Sequence, residues 1–321
     1  MTTVLAIDIG GTKFAAALVD PRGAMLSRAE RPVGPDPTAT LGGLIADIAE
    51  PGVVAVGIGS AGPIEAGTVS PVNIPAWRGF PLTDMVAGLL PGLPVALAGD
   101  AQCMALGEWW KGGRDAGSRS LLDVVVSTGI GGGLILDGRP YTGPTGNAGH
   151  IGHIVVDPAG EPCPCGATGC LETVASGPSM VRWARANGWT GHDARELATD
   201  AGKGAPVALG AFRRAAQALA RGIHTTATLL DLDEVVIGGG VAAAGHLLLD
   251  PLRQAITARS GFAFAQRVRV GLTTQGREAG LYGAAALAYA HPEALSLITA
   301  PGGAACYTPR PADSPPSCSH C

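Results

Sequence analysis

The sequence predicts an α/β protein of two lobes, and three observations carry that prediction. A strand, a glycine-rich turn and a second strand occur at residues 4–19 and again at residues 121–136. Short apolar runs ending in Gly or Asp alternate with helical stretches, as they do in α/β lobes. The chain has 321 residues, and single cores stop growing at about 250–300 residues.

The elements follow in order. Val4-Leu5-Ala6-Ile7-Asp8-Ile9 is an apolar strand broken by one acid and ended by Gly10-Gly11-Thr12. After that tight turn, residues 13–20 read as a second strand. Residues 41–50 have helical spacing. Residues 53–59 and 93–98 are buried strands, the latter ending at Gly99-Asp100, and residues 101–110 are helical. After a polar, Gly-rich break at 111–120 the pattern restarts. Residues 121–127 form a strand that runs into Thr128-Gly129-Ile130-Gly131-Gly132-Gly133, with a further strand at 134–136. Residues 178–230 are mostly helical. Residues 234–237 form a strand capped by Gly238-Gly239-Gly240 and followed by a helical stretch, and residues 280–290 an alanine-rich helix.

This gives a first lobe at 1–115, to which a helix at 281–292 returns, and a second at 116–280. A Pro- and Ser-rich tail, 300–321, has no periodicity and is expected to be disordered. Ligands of such lobes bind at the carboxyl ends of strands, where Asp8, Asp100, Thr128 and Gly238 all fall.

Charge and composition exclude several function classes. The net charge is −4 and there are three lysines, Lys13, Lys111 and Lys203, so no basic cluster invites nucleic acid or an anionic membrane. No apolar run is long enough to span a bilayer, and no leader precedes Val4, so a cytoplasmic protein is expected. Seven cysteines are present and three of them, Cys163, Cys165 and Cys170, lie within eight positions. In a reducing compartment that spacing favours metal over disulfide. With His153 they suffice for one tetrahedral zinc in a loop spanning 150–172, leaving His150 and Glu172 to face something else. Cys103 reads as core packing. Cys318 and Cys321 lack a scaffold for a second metal site.

The glycine motifs are of two kinds. Gly57-Ile58-Gly59-Ser60-Ala61-Gly62 satisfies a dinucleotide fingerprint, but Pro63 follows it and no helix. Gly238-Gly239-Gly240 satisfies a relaxed form, but no acid stands about 20 residues on, so neither supports NAD. Asp8-Ile9-Gly10-Gly11-Thr12-Lys13 is a different device. Its turn exposes backbone N–H groups and the Thr12 hydroxyl to phosphate oxygens, while Asp8 is placed for a magnesium ion or its water. Thr128, Gly129, Gly131, Gly132 and Gly133 repeat the device, so the two loops suit a nucleoside triphosphate clamped between the lobes. Asp100 fits both a helix N-cap and a general base that takes a proton from an attacking hydroxyl. Asn73 offers an amide to sugar hydroxyls, and Trp77 an apolar wall.

With these motifs assembled, the chain resembles the ROK sugar kinases (repressor, open reading frame, kinase) of the actin-like, hexokinase-type ATPase fold. The motifs are Asp8-x-Gly10-Gly11-Thr12, Asn73-x-Pro75-x-Trp77, Asp100-Ala101, Thr128-Gly129-x-Gly131-Gly132-Gly133, Gly152-His153, the cysteine loop and Gly238-Gly239, spanning about residues 4–290. The resemblance implies phosphate loops at 8–12 and 128–133, a nucleotide loop at 238–240, and Asp100 as catalytic base. It implies sugar contacts from Asn73, Asp100, His150, His153 and Glu172. It also implies ATP, Mg2+, a structural zinc on His153, Cys163, Cys165 and Cys170, and a homodimer. If His153 meets the metal through one ring nitrogen, the other can reach the sugar.

Two departures bear on the substrate. Glucose kinases of the family usually carry Glu where this chain has His150, and Asn-Asp-Ala-Asn where it has Gly99-Asp100-Ala101-Gln102. Asp-Ala-Gln, Ser-Thr-Gly and Ala-Gly-His-Ile-Gly-His together look like the family's bacterial N-acetylmannosamine kinases. A kinase acting on the 6-hydroxyl of a hexose is therefore expected, N-acetylmannosamine first and glucose second. The family's sugar-responsive repressors carry a DNA reader ahead of the first loop, where this chain has seven residues before Asp8. A non-catalytic sugar-binding or assembly protein is disfavoured by the intact Asp100 and both loops.

Overall fold

Alternate residues of the first strand, β1 (Thr3–Ile9), enter two different cores. Leu5, Ile7 and Ile9 join Phe14, Leu41 and Trp77 on one face, and Val4 and Ala6 join Ala15, Cys103 and Ala284 on the other. A strand buried on both faces reads as a near-continuous apolar run, interrupted here by Asp8. The computed structural model describes residues 2–71, 73–112, 117–259 and 261–290. The boundary expected near residue 115 and the tail 300–321 lie outside the described residues.

Strand β1 is central in a sheet of order β3-β2-β1-β4-β7, formed with β2 (Lys13–Val19), β3 (Met25–Pro32), β4 (Val53–Ser60) and β7 (Val95–Gly99). Strands β2 and β3 run antiparallel, β4 and β7 parallel. A small hairpin, β5 (Ile64–Glu65) and β6 (Thr68–Val69), follows β4. The second sheet repeats the order as β10-β9-β8-β11-β12, with β8 (Leu121–Val126), β9 (Ile130–Leu136), β10 (Arg139–Pro140), β11 (Glu234–Gly238) and β12 (Arg269–Leu272). The repeated hairpins of the sequence are thus the start of the same five-stranded plan, used twice.

Helices α1 (Pro37–Ile48) and α2 (Leu82–Leu89) cover one face of the first sheet. Pro37 at the first turn and the Asp36 side chain, accepting from Ala39 N at 3.0 Å, start α1. Helices α4 (Leu171–Ala175), α5 (Gly177–Ala186), α6 (Ala194–Gly202), α7 (Pro206–Leu230) and α8 (His246–Thr257) build the large core of the second sheet, and the short α9 (Ala263–Gln266) precedes β12.

The remaining faces of both sheets meet α3 (Asp100–Lys111) and α10 (Ala279–Tyr289). Leu121 and Ile135 of the second sheet pack with Ala105, Leu106 and Ala286, while Ala284 and Leu281 pack on the first. The helix pair therefore lies between the sheets, and Tyr289 ties α10 to Val19 O at 2.7 Å. The two helices cross in backbone contact. A Cβ at Gly283 would collide with Cys103 O, and one at Gly107 with Ala279 O. Gly57 of β4 meets Ala284 O in the same way, so the first glycine fingerprint is a packing surface for α10. At the far end of α3, buried Glu108 accepts from Thr273 Oγ1 and from Gln275 N at 3.2 Å, anchoring the chain after β12. Nearby Asp123 is fully buried without a hydrogen-bond partner, and burial, then the Glu108 charge, holds its pKa well up.

Elements without a counterpart in the sequence reading include β3, the β5–β6 hairpin, α2, β10, α4 and β12. Another differs in extent. Strand β9 begins at Ile130, so Gly131, Gly132 and Gly133 are strand residues, where the sequence reading starts the strand at 134. Among the described residues, no helix is long and apolar enough to cross a membrane.

Candidate active site between the two sheets

The carboxyl end of β7 and the first turn of α3 face β9 and residues 146–150 across a cleft. Gly62, Ile64 and Asp100 line it from the first sheet, and Gly131, Asn147 and His150 from the second.

Asp8 lies one residue before the end of β1, with Gly280 in the first turn of α10 against its carboxyl group. Burial, and then the charge of Asp100, raise its pKa from 3.8 to about 6, although Lys13 and Arg28 pull it down. The turn that follows is closed by Gly10 N donating to Lys13 O at 3.1 Å. Gly11 must be glycine because Asn73 lies on it: a Cβ would stand 2.7 Å from Asn73 Nδ2. Thr12 continues the turn, its carbonyl accepting from Val33 N at 2.9 Å. The Lys13 side chain leaves the turn to pair with Glu30 at 2.7 Å on the outer surface. Trp77 is not a wall of the cleft. It is buried in the first core, stacked between Phe14 at 5.2 Å and Phe80 at 4.7 Å, with its Nε1 donating to Thr38 Oγ1.

Asp100 is the first residue of α3, and Gly99 is the N-cap. One carboxylate oxygen accepts from Ala101 N at 2.7 Å. Burial raises the Asp100 pKa; the Ala101 N–H, then His150, oppose it. Ala101 and the first turn of α3 seat directly on the glycines of β9: a Cβ at Gly133 would collide with Ala101 O, and one at Gly131 would lie 3.3 Å from Ala101 Cβ. Gly132 faces the other way, against Gly149 O at 2.7 Å from a Cβ. These three glycines set Asp100 and the 149–153 turn at their spacing.

The second hairpin turn is Ser127-Thr128-Gly129, closed by Ser127 N to Gly129 O at 2.9 Å. Glu172, on the first turn of α4, reaches this turn: its Oε2 accepts from Ile130 N at 2.7 Å and blocks any side chain at Gly129. Gly177 N, opening α5, donates to Ser127 O at 2.8 Å. Gly238 ends β11, and Gly239, at φ +86°, turns the chain against Val126 O, where a side chain would collide. The β8–β9 turn and the turn after β11 thus lie side by side.

Below this region His153, Cys163, Cys165 and Cys170 gather their ligand atoms within 4.8 Å of one another. Cys163 Sγ lies 3.6 Å from His153 Nδ1, and Cys165 Sγ 3.6 Å from Cys170 Sγ. A tetrahedral zinc with bonds of about 2.3 Å to sulfur and about 2.0 Å to nitrogen puts ligand atoms roughly 3.5–3.8 Å apart, so the four residues fit that ion. His150 stacks on His153 at 6.2 Å, and its Nδ1 lies 2.9 Å from Asn147 O. Because a carbonyl oxygen only accepts, Nδ1 is the donor in that contact.

Two side chains important here carry no role in the sequence reading, Asn147 and Gln102. Gln102 is noted only as a departure from the glucose-kinase pattern, and its buried amide binds Tyr141 O at 2.6 Å, Ala148 O at 3.2 Å and Leu134 N at 3.2 Å. The amide of Asn147 crosses to the first sheet's side of the cleft, meeting both backbone groups of Ile64. Its only local signal is a Gly-Asn pair in a turn.

Comparison with known proteins matches residues 4–291 to the ROK family. The chain is 35% identical to a glucokinase of Streptomyces coelicolor over 90% of this chain and 98% of that protein. It is 39% identical to an N-acetylmannosamine kinase of Salmonella arizonae over 76% of this chain and 86% of that one. Among solved structures, a ROK family glucokinase from Streptomyces griseus in complex with glucose and AMPPNP superposes with a TM-score of 0.75, at 35% identity, covering 89% of this chain and 99% of that one.

Proposed function

Because the chain belongs to the ROK family, we propose that it is a sugar kinase moving the γ-phosphoryl group of ATP to the 6-hydroxyl of a hexose, N-acetylmannosamine in first place. The observation that carries this reading is the position of Asp100. It lines a cleft whose far side is β9, directly beyond a glycine hairpin turn.

In this mechanism the sugar is held by Asn73, His150, His153 and Glu172 together with Asp100. The Asp100 carboxylate takes the proton of the 6-hydroxyl as that oxygen bonds to the γ-phosphorus, and the bond from phosphorus to the β–γ bridging oxygen breaks, releasing ADP. The N–H groups of the turns at 11–12 and 128–129 receive the phosphate oxygens, and the turn at 238–240 receives the nucleotide. Asp8 would hold a magnesium ion or its water, which would supply charge neutralisation at the phosphates. Zinc on His153, Cys163, Cys165 and Cys170 has a structural role, fixing the His153 ring on which His150 stacks and the start of α4 that carries Glu172.

The acceptor follows from His150. With Nδ1 committed to Asn147 O, it offers an imidazole edge where a glucose-type site offers a carboxylate. Glucose is the second reading, because glucokinases and N-acetylmannosamine kinases match the chain at similar identity and coverage. A coupled ADP-release assay across N-acetylmannosamine, glucose, N-acetylglucosamine, mannose and allose decides between them, with Asp100→Asn as the inactive control that still binds sugar. N-acetylmannosamine is expected to give the highest kcat/KM. Glucose ahead by more than about tenfold overturns the assignment, and a near-normal rate in Asp100→Asn removes Asp100 from the base role.

A further inference from the structure

The segment from Tyr141 to His150 spans the mouth of the cleft as a strap, and it is held at two places by side-chain amides. At one, the Gln102 amide on α3 donates to Tyr141 O at 2.6 Å and to Ala148 O at 3.2 Å. At the other, Asn147 reaches across the cleft. Its Oδ1 accepts from Ile64 N at 3.1 Å and its Nδ2 donates to Ile64 O at 3.0 Å. Ile64 pairs with Val69 in the β5–β6 hairpin, so the Asn147 amide takes the place of a neighbouring strand's peptide. Nδ2 also donates to Thr145 O at 2.9 Å, which fixes the amide's orientation from its own side. The same residue's carbonyl meets His150 Nδ1.

We propose that Asn147 is a positioning residue that latches the strap across the cleft, so that closure of the site over its sugar and the orientation of His150 both depend on this clasp. Gln102 anchors the strap on α3, and the Asn147–Ile64 pair is the contact that makes and breaks. A bidentate amide suits that task. Its two hydrogen bonds are replaced by water when the cleft opens, so the latch has a small net free energy and costs little to release. Its effect falls on the closed state, hence on sugar affinity more than on the phosphoryl step.

The kinetic arm of the test rests on the sugar-kinase reading; the other arm does not. Amide hydrogen exchange at Ile64 is measured on the full chain without ligands, for wild type, Asn147→Ala and Asn147→Asp, with β8 amides as the control for global unfolding. Asn147→Ala is expected to speed Ile64 exchange about tenfold with β8 unchanged. Asn147→Asp, which keeps the acceptor but not the donor, is expected to fall between. In the kinetic arm, KM for the sugar rises about five- to tenfold in Asn147→Ala while kcat falls by a smaller factor. Unchanged Ile64 exchange in both variants overturns the latch, as does a kcat loss with KM unmoved. If the wild type phosphorylates no hexose, the kinase reading fails, and the exchange result still decides the clasp.

Discussion

The two glycine hairpins occupy the same place in sheets of the same strand order, yet they draw their negative charge from different sources. In the first, the acid is part of the strand: Asp8 stands opposite Ala15, one residue inside the closing pair Ile9 and Phe14. In the second, that level is Val125 opposite Gly131, and the carboxylate comes from outside, as Glu172 on α4. A charge built into a central strand is held by the sheet itself. A borrowed charge is only as well placed as the element that lends it, and Glu172 lies two residues beyond Cys170 of the Cys3His cluster. The second hairpin is therefore the one coupled to the Cys3His cluster.

The largest effect that would sharpen this contrast is on Asp8. Asp8→Asn is expected to lower kcat by about a thousandfold, and the wild-type kcat/KM to fall as pH drops through about 6, where Asp8 takes up its proton. The same shift has a thermodynamic face. Folding raises the pKa from 3.8 to about 6, so the folded state binds the proton more tightly than the unfolded chain. The stability this contributes is complete below pH 3.8 and is lost as pH rises through about 6. It amounts to on the order of 3 kcal/mol. Urea unfolding of the ligand-free protein at pH 4 and pH 7 measures it, and Asp8→Asn should flatten that difference. A profile with no acid limb near 6 breaks the account of the first hairpin.

Next in size is the removal of metal. Cys165→Ala is expected to lose zinc and to weaken sugar binding about 10- to 100-fold, read by elemental analysis and titration calorimetry on one preparation. The metal-free protein binding sugar with unchanged affinity would show that the Cys3His cluster does not hold Glu172 and His150. The smallest effect is expected for Glu172→Gln, which keeps an oxygen for Ile130 N–H and loses only the charge. A rise of about tenfold in the KM for the sugar is predicted. A loss as large as that of Asp8→Asn would erase the difference between the hairpins.

What was legible in the chain follows the same division. Asp8, Asp100, Thr128 and Gly238 fall at strand ends because apolar runs and glycine stops are local signals, and the spacing of Cys163, Cys165 and Cys170 is a local signal for their clustering. Gly131 to Gly133 were read as loop because glycine has no side chain to register the period of two, although each of the three is there to let another segment approach. Trp77 went the opposite way: an aromatic in a polar turn suggested a ligand wall, and the stacking of Phe14 and Phe80 keeps it in the core. Strand β3 was hidden by its charged outer face, where Arg28 and Glu30 alternate with residues facing inward. The Asn147 clasp joins positions 83 apart in sequence, and no local pattern carries such a pairing.

The crossing of α3 and α10 has a mechanical consequence. With backbone resting on backbone at Gly107 and Gly283, and α10 resting on β4 at Gly57, the clearance between the halves of the protein is set by the thickness of the main chain. Side-chain rotamers cannot take up slack there, so a tilt of one half reaches the other with little backlash. A single added methyl group acts as a wedge at such a bearing. At position 107 it would sit about 10 Å along α3 from Asp100, and its thickness would be felt as a change in the gap across which a proton and a phosphoryl group must pass.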